Sequence, residues 1–347
     1  MKFYTKTHQH YCGIDLHTKK MYVCILNQEG EVLYHRNLKT DRDEFLRAVA
    51  PYRDDLVVAV ECMFTWYWIA DLCHDEGIAF VLGHALYMRA IHGGKAKNDK
   101  IDSHKIAALL KGGLIPQSYV YPKQMRATRD LMRRRNHFMR KRAELFAHIQ
   151  NTGSQYNLPP LGRIAKKNGR DNLVELFPAG CAQKNIELDL ALIDAYDPLL
   201  DTLERYIVKT ANGHDPVALA LLKTVPGIGK VLSLIILYEI ENLERFPRVQ
   251  ELVSYARLVK CARESNGKKS GTSGKKIGNA HLKWAFSEAA VLFLKGNEPA
   301  QRYREKLASK HGKGKSLTIL AHKLARAVYY MLKNKVAFDQ EEFLRSA

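Results

Sequence analysis

YCGIDLHTKKMYVCIL, residues 11–26, holds two short runs rich in β-branched and aromatic residues, 11–16 and 21–26, separated by a polar stretch. Both runs read as strands. Asp15 sits at the centre of the first, a carboxylate among apolar neighbours. Working outward, Asn27-Gln28-Glu29-Gly30 is a turn signal, and EVLYHR, residues 31–36, alternates like a third strand. A helix follows, capped by Asp41 with Glu44 at the capping-box position. LVVAV, residues 56–60, is an unbroken apolar run that suits a central strand buried on both faces. Residues 65–74 read as a helix and 78–82 as a fifth strand. Residues 102–111 read as a helix with Ile106, Ala107, Leu109 and Leu110 on its apolar side.

The order β-β-β-α-β-α-β-α predicts an α/β RNase H-like (RuvC-like) domain over residues 1–122, three antiparallel strands feeding a mixed sheet. Residues 123–152 carry no strand signal. Leu131, Phe138 and Leu145 recur every seven residues, as do Met132, Met139 and Phe146, the pattern of a long helix with a coiled-coil-like seam. Asn157 to Pro160 break it. A second helical stretch, 186–210, offers Leu188, Leu192, Leu199, Leu203 and Ile207, with Pro198 as a kink or restart. The two helices are expected to pack as an antiparallel arm over residues 123–214. Two apolar rows on the first helix exceed what one partner helix needs, which predicts a homo-oligomer, dimer or tetramer, joined through the arm. Residues 215–347 read as a mainly α domain. Helices are expected at 218–223, 230–240, 252–259, 280–294 and 317–332, and a polar Gly/Ser/Lys loop at 261–276.

Charge says what such a protein meets. Lys and Arg number 55 against 36 Asp and Glu, a net +19, and an excess of that size predicts a polyanionic partner. It is also clustered. Residues 123–150 hold nine Lys/Arg and two acids, including Arg133-Arg134-Arg135. Residues 257–283 hold eight Lys/Arg and one acid, whereas 187–204 hold six carboxylates and no base. No basic stretch is paired with a strong apolar face, so nucleic acid is favoured over membrane. No apolar run approaches the ~20 residues of a membrane span, and the first residues, MKFYTKTHQH, do not read as a signal peptide. Six cysteines without CxxC spacing read as reduced thiols. A bacterial cytoplasmic, nucleoid-associated protein is expected.

Four carboxylates carry the candidate chemistry. Asp15 lies in Gly13-Ile14-Asp15-Leu16, Glu61 ends the apolar strand, and Asp99 and Asp102 enter a helix in Asn98-Asp99-Lys100-Ile101-Asp102. A spacing of three puts the last two on one helical face. In an RNase H-like sheet the first and fourth strands are neighbours and the last helix packs across them, so the four converge. Their mutual repulsion is relieved by Mg²⁺ (or Mn²⁺), and two-metal sites perform in-line phosphoryl displacement. Farther on, Val225-Pro226-Gly227-Ile228-Gly229 between helices is a helix-hairpin-helix pattern. In that pattern Gly227, Gly229 and Lys230 approach a phosphate with help from the next helix's dipole; a plain helical corner has the same composition. RESNGKKSGTSGKK, residues 263–276, reads either as a flexible linker or as serines placed beside a phosphate with Lys268, Lys269, Lys275 and Lys276. Asn279 caps the helix that follows.

Taken together, Gly13-Ile14-Asp15, Val60-Glu61, Asn98-Asp99-Lys100-Ile101-Asp102, the Val225–Gly229 motif, Tyr255-Ala256-Arg257-Leu258 and Lys276-Ile277-Gly278-Asn279-Ala280-His281-Leu282 resemble, in order and spacing, the DEDD transposases of bacterial insertion sequences, described as bridge-RNA-guided recombinases. The resemblance covers nearly the whole chain. It implies a metal-bound catalytic set of Asp15, Glu61, Asp99 and Asp102, and a serine in the C-terminal domain that bonds covalently to DNA. It also implies a structured RNA that pairs with donor and target. Ser265-Asn266-Gly267 occupies the family's serine position, with Ser270 and Ser273 as alternatives. The chain departs from the pattern at Arg257, where Gly is usual, at Lys260, where Pro is usual, and at Asn266 inside the serine motif. Two other readings use the same residues: a RuvC-like junction resolvase or nuclease without a covalent intermediate, and a non-catalytic nucleic-acid-binding protein.

Overall fold

The computed structural model describes residues 2–91, 98–259, 262–272 and 277–345, excluding the side chains of 89–91, 262–265 and 269–272. The chain forms two compact units, Met1–Lys123 and Gln124–Ala347. Among the described residues no helix is long and apolar enough to cross a membrane.

In the first unit, strands β1 (His10–Leu16), β2 (Lys20–Leu26) and β3 (Val32–Lys39) lead to helix α1 (Arg42–Val49), β4 (Leu56–Glu61), α2 (Tyr67–Asp75), β5 (Ala79–Gly83), α3 (Ala85–Ile91) and α4 (Asp99–Lys111). The sheet order is β3-β2-β1-β4-β5, antiparallel at β1/β2 and β2/β3 and parallel at β1/β4 and β4/β5. This mixed sheet agrees with the RNase H-like expectation. Asp41 caps α1 by accepting from the Asp43 and Glu44 amides.

Alternation sorts β1 and β4 between two cores. Cys12, Ile14, Val58 and Val60 pack with α1 and α2, while Tyr11, Val57 and Ala59 pack with Ile106 and Leu110 of α4. Gly13 lies on the α4 side. A Cβ there would stand 2.2 Å from the Ala107 nitrogen and 2.4 Å from the Ser103 carbonyl oxygen. Only a glycine lets the α4 backbone rest on β1.

The second unit begins within two long helices, α5 (Lys123–Gln155) and α6 (Cys181–His214). Ion pairs Arg135–Glu204 (2.7 Å), Arg142–Asp197 (2.6 Å) and His148–Asp189 run in opposite directions along them, so the helices are antiparallel. Their far ends share a small core of Ile149, Ile164, Leu173, Phe177, Ile186 and Ile193. The buried face of α6 is Ile186, Ile193, Leu200 and Ile207, a strict seven-residue repeat. The expected seam fails at Leu188, Leu192 and Leu199, each more than half exposed; heptad spacing exists on both faces, and only packing chooses. Nor does Pro198 restart the helix: α6 runs through it, with Asp194 and Asp197, just before it, bound to Arg170.

Then follow α7 (Pro216–Lys223), α8 (Lys230–Ile240), α9 (Val249–Tyr255), strands β6 (Ala262–Ser265) and β7 (Lys268–Thr272), α10 (Ala280–Phe293), α11 (Glu298–His311), α12 (Lys313–Asn334) and α13 (Gln340–Arg345). Every residue from Leu232 to Ile240 is buried, so α8 is the central helix of this unit. Two expectations are corrected. The helix at 252–259 ends at Tyr255 because Arg257 is left-handed (φ 56°). The polar stretch 261–276 contains a β-hairpin turned by Asn266 (φ 49°) and Gly267 (φ 69°), the two positive φ values of a type I′ turn.

Gly13→Ala is expected to force α4 off β1 and cost at least roughly 1–3 kcal/mol, as overpacking a core does. A thermal melt lowered by several degrees is the measurement; a wild-type melting curve would contradict the close approach.

Candidate active site

Asp15 and Glu61 reach the same sheet edge because β1 and β4 are parallel neighbours. Ile14 pairs with Val60, and the next residue of each strand carries the acid. By alternation both acids lie on the α4 side. Asn98 caps α4, its side chain accepting from the Ile101 amide at 2.8 Å. That sets Asp99 and Asp102 in the first turn, where the helix dipole favours negative charge.

The structure brings together Asp15, Asp99 and a residue the sequence reading passed over, His17, their ligand atoms all within 4.8 Å of one another. His17 Nε2 stands 3.4 Å from Asp15 Oδ2 and 3.7 Å from Asp99 Oδ1. Asp102 turns toward Lys105, at 3.8 Å. Burial pushes the Asp15 carboxyl above its ordinary range, with the Asp99 and Asp102 charges adding to the rise and His17 opposing it. Glu61 and Asp102 lie outside the three-residue cluster. A signal for His17 existed: in Asp15-Leu16-His17 a spacing of two repeats one face of a strand. The carboxylate oxygens of this cluster suit a hard divalent cation.

In the second unit Ser265 ends β6, opposite Lys268 and beside the Asn266-Gly267 turn. Ser270 is on β7; Ser273, Lys275 and Lys276 lie outside the described residues. The segment that carries the hairpin is closed at its base. The Asn279 amide donates to the Tyr255 carbonyl (2.5 Å), Arg257 Nε donates to the Gly278 carbonyl (3.0 Å), and a Cβ on Gly278 would meet Tyr255 O at 2.5 Å. Position 257, left-handed, is one that glycine would occupy at less cost.

The residues expected to bind nucleic acid, Asn279 among them, differ in exposure and partners. Asn279 is buried. It caps α10 by accepting from the His281 and Leu282 amides and donates to Glu239 at 2.7 Å. Half-buried Arg133 binds Glu239 (2.7 Å) and buried Arg135 binds Glu204; Arg134 remains exposed, over the Phe138 ring. Gly227 (φ 85°) is a packing glycine: its Cβ would stand 2.6 Å from the Phe293 nitrogen. Gly229 precedes α8 in open space, and Lys230 lies 3.9 Å from Glu204. Lys268 is exposed and Lys269 is on β7.

Glu239, 2 % exposed, receives Arg129, Arg133 and Asn279 together. Burial alone would raise its carboxyl. The Arg133 hydrogen bond and the two guanidinium charges outweigh burial and hold it at about 2.

Two family models match this chain. The N-terminal DEDD model of IS110 transposases, described as Transposase, matches residues 12–157, and the Transposase IS116/IS110/IS902 family model matches residues 219–305. Together they span well over half of the sequence. The fold and these two matches define an enzyme of DNA transposition. The chain belongs to the IS110-type DEDD transposases, enzymes that act on DNA. Comparison with curated proteins finds no match.

The Glu239 carboxyl falls from an ordinary 4.5 to about 2 on folding, so its contribution is full above pH 4.5 and lost as pH falls toward 2. The second unit is expected to lose stability across that window. Glu239→Gln, which leaves two guanidinium groups without their carboxylate, is expected to cost about 3–5 kcal/mol at neutral pH and to flatten the acid limb of a denaturation series. An acid limb identical to wild type would contradict the assignment.

Proposed function

We propose that this transposase is a site-specific recombinase of an insertion sequence that cuts and rejoins DNA with Asp15, Glu61, Asp99 and Asp102 as its metal-binding set and Ser265 as its nucleophile. The observation that carries the reading is the meeting of Asp15 and Asp99 at one sheet edge, with Asp102 near enough to disturb Asp15 and Glu61 one register step away. A divalent cation held there, Mg²⁺ or Mn²⁺, supplies positive charge to a pentacovalent phosphate. The carboxylates orient the scissile phosphate. The serine oxygen forms a bond to phosphorus while the bond to one strand's oxygen breaks, releasing a strand end with a hydroxyl; reversal with another end rejoins DNA. A weak nucleophile such as serine needs activation, and no histidine lies within ten residues of Ser265 in sequence. Target choice is read as pairing with a structured guide RNA, supported by the net +19 and the family resemblance.

The protein is further read as a homo-oligomer. Its support is an unpartnered row on α6, Leu188, Leu192, Leu199 and Tyr206, each more than half exposed and spaced as a coiled-coil seam. A second copy of this face matches it in spacing and polarity. The three domains, 1–122, 123–214 and 215–347, are then a catalytic domain, an assembly arm and a strand-transfer domain.

Asp15→Asn and Glu61→Gln are each expected to lower strand cleavage by roughly 10²-fold or more with DNA binding retained, because phosphate contacts elsewhere hold the duplex. Wild-type reactions stopped in denaturant should contain a protein–DNA adduct that Ser265→Ala removes. An adduct that survives in Ser265→Ala and vanishes in Ser270→Ala or Ser273→Ala moves the nucleophile. Cleavage with no adduct from wild type favours the resolvase reading.

For assembly, Leu192→Glu combined with Leu199→Glu is expected to lower the sedimentation mass at unchanged melting temperature. The same mass as wild type would refute the seam.

A further inference from the structure

We propose that His17 is a direct nitrogen ligand of the divalent ion in this site, and that it gives the site a preference for Mn²⁺ over Mg²⁺. The inference rests on the metal-site reading of Asp15 and Asp99 and adds a donor that the four carboxylates do not include.

Geometry is the first argument. His17 Nε2 stands 3.4 Å and 3.7 Å from the nearest oxygens of Asp15 and Asp99. Hydrogen bonds to carboxylates run about 2.7–2.9 Å, so both separations are long for that purpose. Ligands bound at about 2.1 Å lie roughly 3.0–3.4 Å apart around one ion. The observed separations fall within a few tenths of an ångström of that range. His17 is thus spaced from each carboxylate much as a co-ligand is.

The second argument is that the imidazole is carried on a pinned backbone. The His17 amide donates to the Lys20 carbonyl (3.1 Å), and the His17 carbonyl accepts from Thr40 Oγ1 (2.9 Å). The preceding carbonyl, of Leu16, accepts from Thr65 Oγ1 (3.1 Å). Thr40 follows β3 and Thr65 follows β4, so the segments that leave these two strands fix the point where the chain leaves β1. The side chain is 58 % exposed and has no apolar role to explain its place over two acids.

The chemistry sets the consequence. Mg²⁺ prefers oxygen donors and parts reluctantly with its waters. An imidazole in the set favours first-row transition ions, of which Mn²⁺ is the one that also accepts carboxylate and water readily.

The test is pulsed electron paramagnetic resonance on the full chain loaded with Mn²⁺. The expected result is nitrogen modulation from a coordinated imidazole in the wild type and its loss in both His17→Ala and His17→Gln. Mn²⁺ affinity should fall at least about tenfold, the lower bound for groups that act only through a ligand, while Mg²⁺ affinity, read by competition, stays near wild type. Mn²⁺ bound by the wild type without nitrogen modulation, but released by Asp15→Asn, overturns the inference and leaves the carboxylate site standing. Modulation that persists in both His17 variants assigns the nitrogen to another histidine and also overturns it. A wild type that binds no Mn²⁺ overturns the metal-site reading and the inference with it.

Discussion

The acidic edge depends on one steric fact, the absence of a side chain at Gly13. Helix α4 lies so close to β1 that its Ser103 and Ala107 backbone atoms occupy the volume a Cβ would need. An interior that is close-packed has no slack to absorb a shift of that size. Raised off the strand, α4 would carry Asp99 and Asp102 with it. The capping of α4 by Asn98 and the burial of Ile106, Ala107 and Leu110 keep the helix seated; Gly13 decides at what distance. The residue two positions before the first carboxylate therefore belongs to the site as much as the carboxylate does.

The second unit has a comparable constraint of the opposite kind, a charge in place of a void. Glu239 lies on a helix otherwise buried and apolar, and its carboxylate is tolerable only because Arg129, Arg133 and Asn279 meet it there. Those partners come from α5 and from the start of α10. The same contact ties the root of the long helix to the central helix and to the point where the hairpin-bearing segment ends. Asn279 then does two jobs at once, capping α10 with its oxygen and completing Glu239 with its nitrogen. A substitution at any member takes a partner from this buried carboxylate or removes the carboxylate itself, so the cluster constrains the sequence.

What the sequence reveals of this molecule is what local chemistry settles. The unbroken apolar run at 56–60 marks the central strand, Asp41 and Asn279 mark helix starts, and the spacing of Asp99 and Asp102 marks a helical face; each follows from a periodicity or a cap. The hairpin was also legible, since Asn266-Gly267 is the strongest two-residue turn signal there is, but lysines and serines around it read as a linker. Other features were not legible because partners far away in sequence decide them. Heptads on α6 fit either face, and only packing buries Ile193 and exposes Leu192. Gly227 looks the same whether it approaches a phosphate or the backbone of α10. His17 joins Asp15 by strand alternation, but its distance to Asp99 depends on how α4 crosses the sheet.

The basic charge divides in the same way. A run of cations in sequence implies a polyanion only if the cations are not already matched, and folding matches many of them. Arg129, Arg133, Arg135, Arg142 and Arg170 all meet carboxylates inside the second unit; of the cations at residues 123–150, Arg135 and Arg142 pair with the acidic helix α6, and Arg129 and Arg133 with Glu239 of α8. Lys306, Lys310, Lys313 and Lys315, around the joint between α11 and α12, are exposed, and no ion pair involves them among the described residues. They belong to residues 302–315, which hold six Lys/Arg and one acid. Phosphate affinity scales with cations that release counterions on binding, and a cation already paired with a carboxylate contributes little to that release. The charge available to DNA is thus a property of the fold: internal pairs take cations out of the clusters but leave the net +19 unchanged, so the excess is carried by cations elsewhere on the surface.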